Sequence, residues 1–582
     1  MSLVLMRRNM RYLMPLVWAF VAIFVLGAVF SFNSASSGRG GNATNYLFAK
    51  VDDKEVTNQQ FDRNLAMMRE QYKNFAAYGQ AATLQQYSEL PRYAWEQLLE
   101  EYAQAAAAEK QGVSVSANDA DAELQKQVEE RLKTIGVGAK PEELAQYREV
   151  LMANRDVEAQ RRQMLAQRLR DKLNKEAQPV EVKVAHVLVK TDTRSDAAAL
   201  KLAQDVSRQA KAGADFAKLA AQHSEDQGSK VKGGEVGWAS AMPPSPPTGK
   251  NAKPDPEAAT SFVPEFTAAS LSLKKGQVGE PVKSSFGYHV IKALDVRNYQ
   301  PKVEGKPDEK KRQEGLDQYK SQMANQIAQG LVSAEKARLE ARVKPASPWL
   351  KAYIKEQEAN KAPLSIGKDG KPSTSEAQKL APVISAYEEA LKGNGPEVGP
   401  PLAYKLTQLY QRAERYPEAA ALMEKWAKRS NDTEMYFLQG EVQEKLKKKT
   451  EALTAYQSSM ETAYNNPEVL SRLADKFKEL GRADLAQQAR DKQTKQVARQ
   501  SEERARQQKM FEAQNRAASQ KISTKPAAAA KKDAPVQEIT VKTGGIDPKT
   551  GKPKIISVTP TNGKGAKPDA KADAKESAPA KP

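Results

Sequence analysis

A charge-free apolar stretch near the start of the chain constrains its topology more than any other feature. Residues 13–32 read LMPLVWAFVAIFVLGAVFSF, and at about 1.5 Å per helical residue they are long enough to cross a hydrocarbon core of roughly 30 Å. The basic residues before it are Arg7, Arg8 and Arg11, and the first acidic residue is Asp52. Positive-inside reasoning therefore predicts a single-pass anchor with residues 1–12 in the cytoplasm. Secretion after signal-peptide cleavage near NSASS is the alternative.

Length and composition predict several domains and exclude some chemistries. A chain of 582 residues is too long for one hydrophobic core. It contains no cysteine, which excludes disulfides, thiolate metal sites and a cysteine nucleophile. The net charge is +19, and residues 501–582 contribute 17 basic against 9 acidic side chains. The sequence predicts a basic, low-complexity tail over 498–582 that begins as charged helix and is then disordered, and this concentration of charge argues against specific nucleic-acid binding by a folded domain.

The first region after the apolar stretch is predicted to be helical. AKV–DD–KEV (49–56) predicts a short hairpin, and Thr57 or Asn58 is the candidate N-cap of a long helix. Apolar spacing stays helical from there to residue 178. Two glycine-containing turns, GVSVSANDADAEL and GVGAKPEEL, divide this stretch into about five helices. Residues 46–178 therefore form an all-α region.

At Pro179 the pattern changes to an α+β unit that ends near Tyr299. VEVKVAHVLV (180–189) alternates apolar and polar residues as a strand does. The elements that follow are a helix over 195–212, a helix from Asp215, a glycine-rich loop over 228–237, a proline-rich stretch, a helix over 264–272 and a closing strand containing His289. A charged helical segment then occupies 303–345.

From about residue 378 the sequence repeats with a period of 33 or 34 residues. The small residues that recur are Thr407, Gly440 and Ala474 at one position and Ala419, Ala452 and Ala486 at another. Small residues at two fixed positions allow two antiparallel helices to pack closely and to stack on the next pair. The spacing resembles that of tetratricopeptide repeats, three of which fit within 378–497.

The chain has only three histidines, and all lie in the α+β unit: His186, His223 and His289. A single histidine on a strand is usually a core residue. Zinc binding is disfavoured because the spacings are wide and no two histidines are close in sequence. The clustering itself therefore calls for another explanation.

Residues 183–294 closely resemble the parvulin family of peptidyl-prolyl cis-trans isomerases. The resemblance is carried, in order, by AHVLVK, GADFAKLAAQHSEDQGSKVKGGEVGW and FVPEFTAASLSLKKGQVGEPVKSSFGYHVIKAL. It implies a parvulin domain over 179–299 that acts without a cofactor or metal. Rotation about an X–Pro bond must overcome about 18–20 kcal/mol and breaks no bond. An apolar cup for the proline ring and a fixed polar group are enough for such a reaction.

The resemblance also implies the site residues. Catalytic positions of the family fall on His186, Asp226, Ser284 and His289. Proline-pocket positions fall on Val236, Phe262, Phe266 and Phe286. The two strand histidines correspond to a pair on the floor of the active site, whereas His223 receives no catalytic role. A purely structural role for both strand histidines is the alternative.

The chain departs from the family in two places. Phosphate-directed parvulins carry a basic cluster after the first strand, whereas TDTRSD (191–196) offers only Arg194 beside Lys190. Specificity for phosphorylated Ser/Thr–Pro is therefore not expected. The segment 240–261 lengthens a loop before the pocket and contains six prolines. A solvated polyproline insertion is expected, and a loop that covers the pocket is the alternative.

The order of segments is similar to that of membrane-anchored periplasmic folding factors of the PpiD type, with relatives in SurA and PrsA. This similarity implies that 46–178 and 303–345 form one chaperone module with 179–299 inserted. It also implies location at the bacterial inner membrane with the bulk in the periplasm, and unfolded or nascent exported polypeptides with X–Pro bonds as clients. The repeats and the tail have no counterpart there, and a partner protein is expected for the repeats.

Two other functions stay open at this point. One is a non-catalytic holdase chaperone whose parvulin module is inactive. The other is a scaffold in which the repeats recruit an assembly complex.

Overall fold

The computed structural model describes residues 46–77, 83–135, 141–153, 155–192, 194–242, 258–301, 308–361, 375–393, 395, 397–523, 539–546 and 553–560. The expected anchor, residues 13–32, and the interior of the proline-rich insertion, 243–257, lie outside these ranges. No helix within them is long and apolar enough to span a membrane. Contacts divide the chain into one unit up to residue 504 and a second from residue 505.

The chain's described part begins with a hairpin and five helices, as the sequence predicts. The elements are β1 (Leu47–Val51), β2 (Lys54–Thr57), α1 (Asn58–Ala77), α2 (Leu84–Lys110), α3 (Ala117–Ile135), α4 (Pro141–Ala153) and α5 (Val157–Glu176). The first helix begins at Asn58, but the Asn58 side chain accepts a hydrogen bond from the Tyr46 amide at 2.9 Å. It therefore ties the start of β1 to the start of α1.

Segments from both sides of the α+β unit build one core. The elements after that unit are α10 (Glu309–Glu340) and β7 (Val343–Pro345), and β7 pairs antiparallel with β1 to give the sheet order β2-β1-β7. Phe48 of β1 stacks on Phe61 at 4.2 Å between ring centroids, and Phe61 lies 5.5 Å from Trp349. The α+β unit is thus an insertion between two parts of one packed module.

The inserted unit is a four-stranded antiparallel sheet with helices. Its elements are β3 (Val180–Val189), α6 (Asp196–Lys211), α7 (Phe216–His223), α8 (Gln227–Lys230), β4 (Glu235–Ala239), α9 (Pro264–Leu271), β5 (Val282–Ser284) and β6 (Gly287–Asn298). The strand order is β4-β3-β6-β5. The two long strands, β3 and β6, are central and pair over their whole length.

The prediction of a glycine-rich loop over 228–237 is wrong in part, because this stretch contains α8 and the edge strand β4. Gly234 has φ of +86°, and a Cβ there would lie 2.4 Å from the His186 carbonyl oxygen. Its own carbonyl accepts a hydrogen bond from the His186 amide at 2.8 Å. Glycine is therefore needed for close approach of the backbone to β3, rather than for an open loop.

The long helix α10 joins the inserted unit to the module. The Tyr319 side chain is fully buried, and its hydroxyl donates to the Val180 carbonyl at 2.8 Å and accepts from the Ala241 amide at 3.2 Å. About three turns further along α10, a Cβ on Gly330 would lie 2.4 Å from the Ala268 Cβ of α9. Further along its length α10 also packs on α2 and α5.

The C-terminal part of the first unit is helical. After α11 (Pro348–Lys361) and α12 (Glu376–Ala390), three helix pairs follow: α13 (Pro400–Arg412) with α14 (Tyr416–Ser430), α15 (Thr433–Lys445) with α16 (Lys449–Thr462), and α17 (Pro467–Glu479) with α18 (Ala483–Ser523). The recurring small residues lie where helices meet. A Cβ on Gly440, for example, would lie 2.3 Å from the Tyr456 ring.

The tail over 498–582 begins with the expected charged helix, because α18 continues to Ser523. The expectation of disorder beyond that helix is wrong for one hairpin, in which β8 (Ile539–Ile546) pairs antiparallel with β9 (Pro553–Pro560) in the second unit. Two buried amides explain the first part of α18. Gln496 accepts from the Asn466 amide at 3.0 Å, and Gln500 donates to the Asn465 side chain at 3.0 Å. These contacts attach a polar helix to the preceding repeat.

Candidate active site

The two strand histidines lie side by side on the central strands of the inserted unit. In the β3–β6 ladder His186 pairs with Ile291 and Leu188 with His289, so the histidines are diagonal neighbours on one face of the sheet. Their Nδ1 atoms are 3.1 Å apart and their rings are inclined by only 14°. Both side chains are buried. The sequence prediction that they meet is therefore matched by the geometry.

Gly287 makes this strand pairing possible. It has φ of +131°, and a Cβ there would lie 2.3 Å from the Val189 carbonyl oxygen. Any other residue would push the start of β6 away from β3, two positions before His289. The glycine beside the histidine in SSFGYHVIKAL is thus explained by the same contact that sets the histidine in place.

Asp226 and Ser284 extend the histidine pair at its two ends. The Asp226 Oδ2 atom lies 2.9 Å from His186 Nε2, and its Oδ1 accepts from the Gly228 amide at 3.2 Å. The Ser284 Oγ atom lies 2.7 Å from His289 Nε2 and accepts from the Phe286 amide at 3.1 Å. The result is a continuous row from Asp226 through both imidazoles to Ser284.

Sequence reasoning missed Ser229. Its hydroxyl donates to Asp226 Oδ2 and also lies 3.1 Å from His186 Nε2, and the residue is only 3% exposed. A signal was present in SEDQGSK, because Asp226 is the N-cap of α8 and Ser229 is the third residue of that helix. An N-cap residue and the third helical residue face each other, as in a capping box.

The pKa values of the row follow from burial and its hydrogen bonds. Burial lowers the pKa of His289 to about 3, helped by His186, and burial also lowers the pKa of His186 against the opposing effect of Asp226. Burial raises the pKa of Asp226, but hydrogen bonds from Ser229, His186 and the Gly228 amide outweigh it and hold the pKa at about 2. At neutral pH both imidazoles are therefore uncharged and Asp226 is ionised.

These protonation states give the row a direction. An ionised carboxylate only accepts hydrogen bonds, so His186 carries its hydrogen on Nε2 and its Nδ1 is an acceptor. His289 must then donate from Nδ1, which leaves its Nε2 to accept from the Ser284 hydroxyl. The Ser284 oxygen accepts from the Phe286 amide at the far end. Every donor in the row thus points from Phe286 toward Asp226.

An apolar wall lies against the imidazoles. Phe266 of α9 packs edge-on to both rings, with centroids 5.4 Å from His186 and 5.2 Å from His289. Phe262 lies 4.9 Å from Phe266, and Val236 of β4 belongs to the same apolar cluster. Phe286 does not join them: its ring is 59% exposed on the turn after β5.

Two other predicted residues stay outside the row. His223 ends α7 and takes part in none of the hydrogen bonds described for the row. Arg194 makes a two-pronged ion pair with Glu225 at 2.6 and 2.8 Å and also donates to the Lys190 carbonyl. Its guanidinium is thus already engaged by a carboxylate.

Family models match two parts of the chain. Residues 167–297 match the PPIC-type PPIASE domain, and residues 3–174 match the SurA-like N-terminal domain. Every member of the row and of the apolar wall lies within the first match. The chain thus contains a parvulin-type PPIC domain behind a SurA-like N-terminal domain, as the sequence resemblance predicts.

Curated relatives share these parts. Foldase protein PrsA 1 of Bacillus cereus is 40% identical over 141 residues, which cover 24% of this chain and 40% of the relative. Chaperone SurA of Saccharophagus degradans is 37% identical over 118 residues, which cover 20% and 23%. The chain thus spans less than half the length of either relative. A crystal structure of the peptidylprolyl isomerase PrsA from Bacillus cereus is 25% identical and covers 55% of this chain and 100% of its own, at a TM-score of 0.17.

Proposed function

We propose that this chain is a peptidyl-prolyl cis-trans isomerase and chaperone that assists the folding of exported proteins in the bacterial envelope. The observation that carries the proposal is the row Asp226–His186–His289–Ser284 beside the Phe266 ring. All four polar groups are held by one another, so the floor of the site is rigid before a substrate arrives. Rigid, preorganised polar groups are what a reaction without bond breaking can use.

The chemistry assigned to the site is stabilisation of a twisted amide. Val236, Phe262 and Phe266 hold the proline ring and exclude water. A planar amide places more negative charge on its carbonyl oxygen than a twisted one does. The ionised Asp226 carboxylate, placed near that oxygen, therefore disfavours the planar state relative to the twisted state. The neutral imidazoles add no second charge to the floor of the site, so Asp226 carries its single charge.

The expected substrates are unphosphorylated X–Pro segments of unfolded chains. A phosphate before the proline needs free cationic groups, whereas Arg194 is paired with Glu225. The ionised Asp226 would in addition repel a phosphate near the floor of the site.

The decisive experiment measures isomerisation by the purified full chain on unphosphorylated Ala–Pro and Phe–Pro peptides. Acceleration that falls at least tenfold in both Asp226→Ala and His289→Ala would support the proposal. His223→Gln is the matched control, because this histidine lies outside the row, and it should keep the wild-type rate. A folded wild-type chain without acceleration would leave the non-catalytic holdase as the better reading.

The chaperone role is proposed for the module that flanks the inserted domain, residues 46–178 and 303–345. Its support is the shared sheet β2-β1-β7 and the common core that contains both Phe48 of β1 and Leu339 of α10. Suppression of aggregation of an unfolded exported protein should persist in His289→Ala, because the module lies outside the isomerase site. Loss of both activities together would argue that the two are not separate.

Location at the inner membrane, through residues 13–32 as an uncleaved anchor, is part of the proposal. The support is the length of the apolar stretch and the arginines before it. Fractionation of cells that produce the full chain should leave it in the membrane pellet after alkaline extraction. A soluble product whose N-terminus begins after residue 33 would favour cleavage.

The helix pairs between residues 378 and 497 are proposed to be tetratricopeptide-like repeats that bind a partner protein. The support is the 33- or 34-residue spacing and the packing of small residues such as Gly440 against Tyr456. Crosslinking from sites on α15 and α17 of the full chain in cells is the test. Crosslinks to the same proteins from α4 would show that these helices recruit nothing of their own.

A further inference from the structure

We propose that Ser229 is a positioning residue that fixes the direction of the hydrogen-bond row and so keeps the Ser284 hydroxyl turned toward His289. The effect of Ser229 on the hydrogen positions in the row does not depend on the proposed function. Its effect on rate rests on the proposed isomerase function, and the two effects are measured separately below.

The position of Ser229 is set by its own backbone. Its carbonyl accepts hydrogen bonds from the Lys232 amide at 2.8 Å and the Gly234 amide at 2.9 Å, which closes the turn between α8 and β4. The side chain is therefore held against Asp226 and His186 and cannot move away with a loop. Its hydroxyl has one hydrogen, and that hydrogen is donated to Asp226 Oδ2. Its oxygen is then left to accept from His186 Nε2, 3.1 Å away.

The row could in principle run in either of two directions. In the forward direction, described above, Asp226 is ionised and His186 carries its hydrogen on Nε2. In the reverse direction Asp226 is protonated and donates to a bare His186 Nε2, His186 donates from Nδ1 to His289 Nδ1, and His289 donates from Nε2 to Ser284. Counting hydrogens, the reverse row holds one more proton than the forward row. That proton comes from solvent.

Ser229 excludes the reverse direction by occupying the atom that this direction requires. The new proton would have to lie on Asp226 Oδ2, because that oxygen faces His186 Nε2. The same oxygen already accepts the Ser229 hydrogen, and a bare Nε2 would face a serine oxygen whose hydrogen points elsewhere. Within the described residues, the titratable groups that act on the two imidazoles are Asp226, which acts on both, and His186, which acts on His289. Ser229 is therefore the neutral group that selects between the two directions.

The direction matters for what the site offers to a substrate. In the forward row the Ser284 hydrogen is used on His289, so the row presents no free hydroxyl donor. In the reverse row the Ser284 hydroxyl keeps its hydrogen but no longer donates it to His289, and Asp226 loses its negative charge because it is protonated. A site that works through a fixed carboxylate field would lose that field on reversal.

The test reads the ring nitrogens directly. The chain has only three histidines, so ¹⁵N spectra of the full chain labelled at histidine alone contain few signals, and His223→Gln identifies the third. The wild type should show His186 protonated on Nε2 and His289 on Nδ1 from pH 7 down to the limit of folding. Ser229→Ala should show the opposite pattern growing in as the pH falls, within the pH range in which the wild type keeps the forward pattern. The removal of a hydrogen bond to a charged group should move this transition upward by about one pH unit.

Two further variants keep the result interpretable. Ser207→Ala removes another buried hydroxyl of the same domain, which donates to the Gly279 carbonyl, and should leave the spectrum unchanged. Ser229→Cys keeps a side chain of similar size with a weak donor and should give an intermediate midpoint. Ser229→Ala with the same ring-nitrogen pattern as the wild type at every pH would overturn the proposal.

The kinetic measurement separates this proposal from the proposed function. If the chain is an isomerase, Ser229→Ala should lower kcat about tenfold with KM within twofold of the wild type, because Ser229 does not reach the apolar wall. Changed ring-nitrogen patterns in a chain with no isomerase activity would sustain the role of Ser229 and reject the function. If the chain is an active isomerase and Ser229→Ala changes neither the spectrum nor kcat, the proposed function is supported and the role of Ser229 is rejected.

Discussion

Two buried polar networks of this chain use similar side chains to opposite effect. The row in the inserted domain contains a single charge, on Asp226, and ends beside an apolar wall. The second network lies between α2 and the C-terminal helices, where Lys405 bridges Glu89 at 3.3 Å and Glu356 at 2.9 Å, and Tyr387 donates to Glu356 at 2.7 Å. There each carboxylate has a cation or hydroxyl partner of its own.

The difference shows how a catalytic hydrogen-bond row can be told apart from a structural ion-pair network. Burial raises the pKa of Glu89, but Lys405 and Arg92 outweigh it and the net pKa is lowered. Charges in that network therefore neutralise each other and hold the helices together. In the row, burial removes charge from the histidines and leaves one carboxylate without a cation. An unbalanced, rigidly held charge beside an apolar wall is what chemistry requires.

The largest expected loss of stability comes from breaking the structural ion-pair network around Lys405. Lys405→Met leaves Glu356, which is 5% exposed, and Glu89 without their shared cation, and should destabilise the chain by about 3–5 kcal/mol. Urea denaturation measures the change. Lys392→Met breaks the exposed pair with Glu389 and should cost less than about 0.5 kcal/mol. Equal losses of stability for the two substitutions would show that the Lys405 network contributes no more than an exposed ion pair.

The next effect concerns the row and its pH dependence. Because His289 titrates near 6.5 when unfolded and at about 3 when folded, the unfolded state binds more protons between these values. Stability is therefore full above pH 6.5 and falls as the pH is lowered toward 3, by about 1.4 kcal/mol per unit for this residue. Urea denaturation between pH 4 and 7 should show a shallower slope in His289→Gln. A slope in His289→Gln equal to that of the wild type would contradict the assignment.

A smaller effect lies where α10 joins the two regions. Gly330→Ala places a methyl against Ala268 of α9 and should cost about 1–3 kcal/mol despite the better helix propensity of alanine. It should also lower isomerase activity, because α9 carries Phe266. The double variant Gly330→Ala/Ala268→Gly exchanges the methyl between the helices and should recover most of both losses. Additive losses in the double variant would show that the close contact is not the cause.

The smallest expected loss of stability comes from removing the Tyr319 hydroxyl, which connects α10 to β3. Tyr319→Phe removes a donor to the Val180 carbonyl and an acceptor for the Ala241 amide, and should cost about 1–2 kcal/mol in thermal or urea unfolding. Tyr464→Phe, at an exposed position, is the matched control and should leave stability unchanged. The Tyr319 ring also stacks on Tyr299 at 3.8 Å between centroids, and Phe would keep this contact. Unchanged stability in Tyr319→Phe would therefore mean that the hydroxyl adds nothing to it.

Much of the site could be predicted from residue types in order along the chain. The family resemblance carried by AHVLVK, AAQHSEDQGSK and SSFGYHVIKAL pointed to His186, Asp226, Ser284 and His289, and the structure brings these four side chains together in one row. Ser229 was missed because its importance depends on which atom of Asp226 it meets, which no spacing reveals. Phe286 was placed in the pocket by analogy, whereas the turn before Gly287 leaves its ring in solvent.

The sequence by itself determined the parts: the hairpin and five helices, the inserted α+β domain and the helix pairs. Local periodicity, caps and glycines act over a few residues and can be read in order. Only the tertiary structure decided how the parts join. The pairing of β7 with β1, the cap that Glu434 supplies to the Leu84 amide and the contact of Lys405 with Glu89 connect residues hundreds of positions apart. Such contacts depend on shape and charge between surfaces that form only after each part has folded, and local sequence patterns do not encode them.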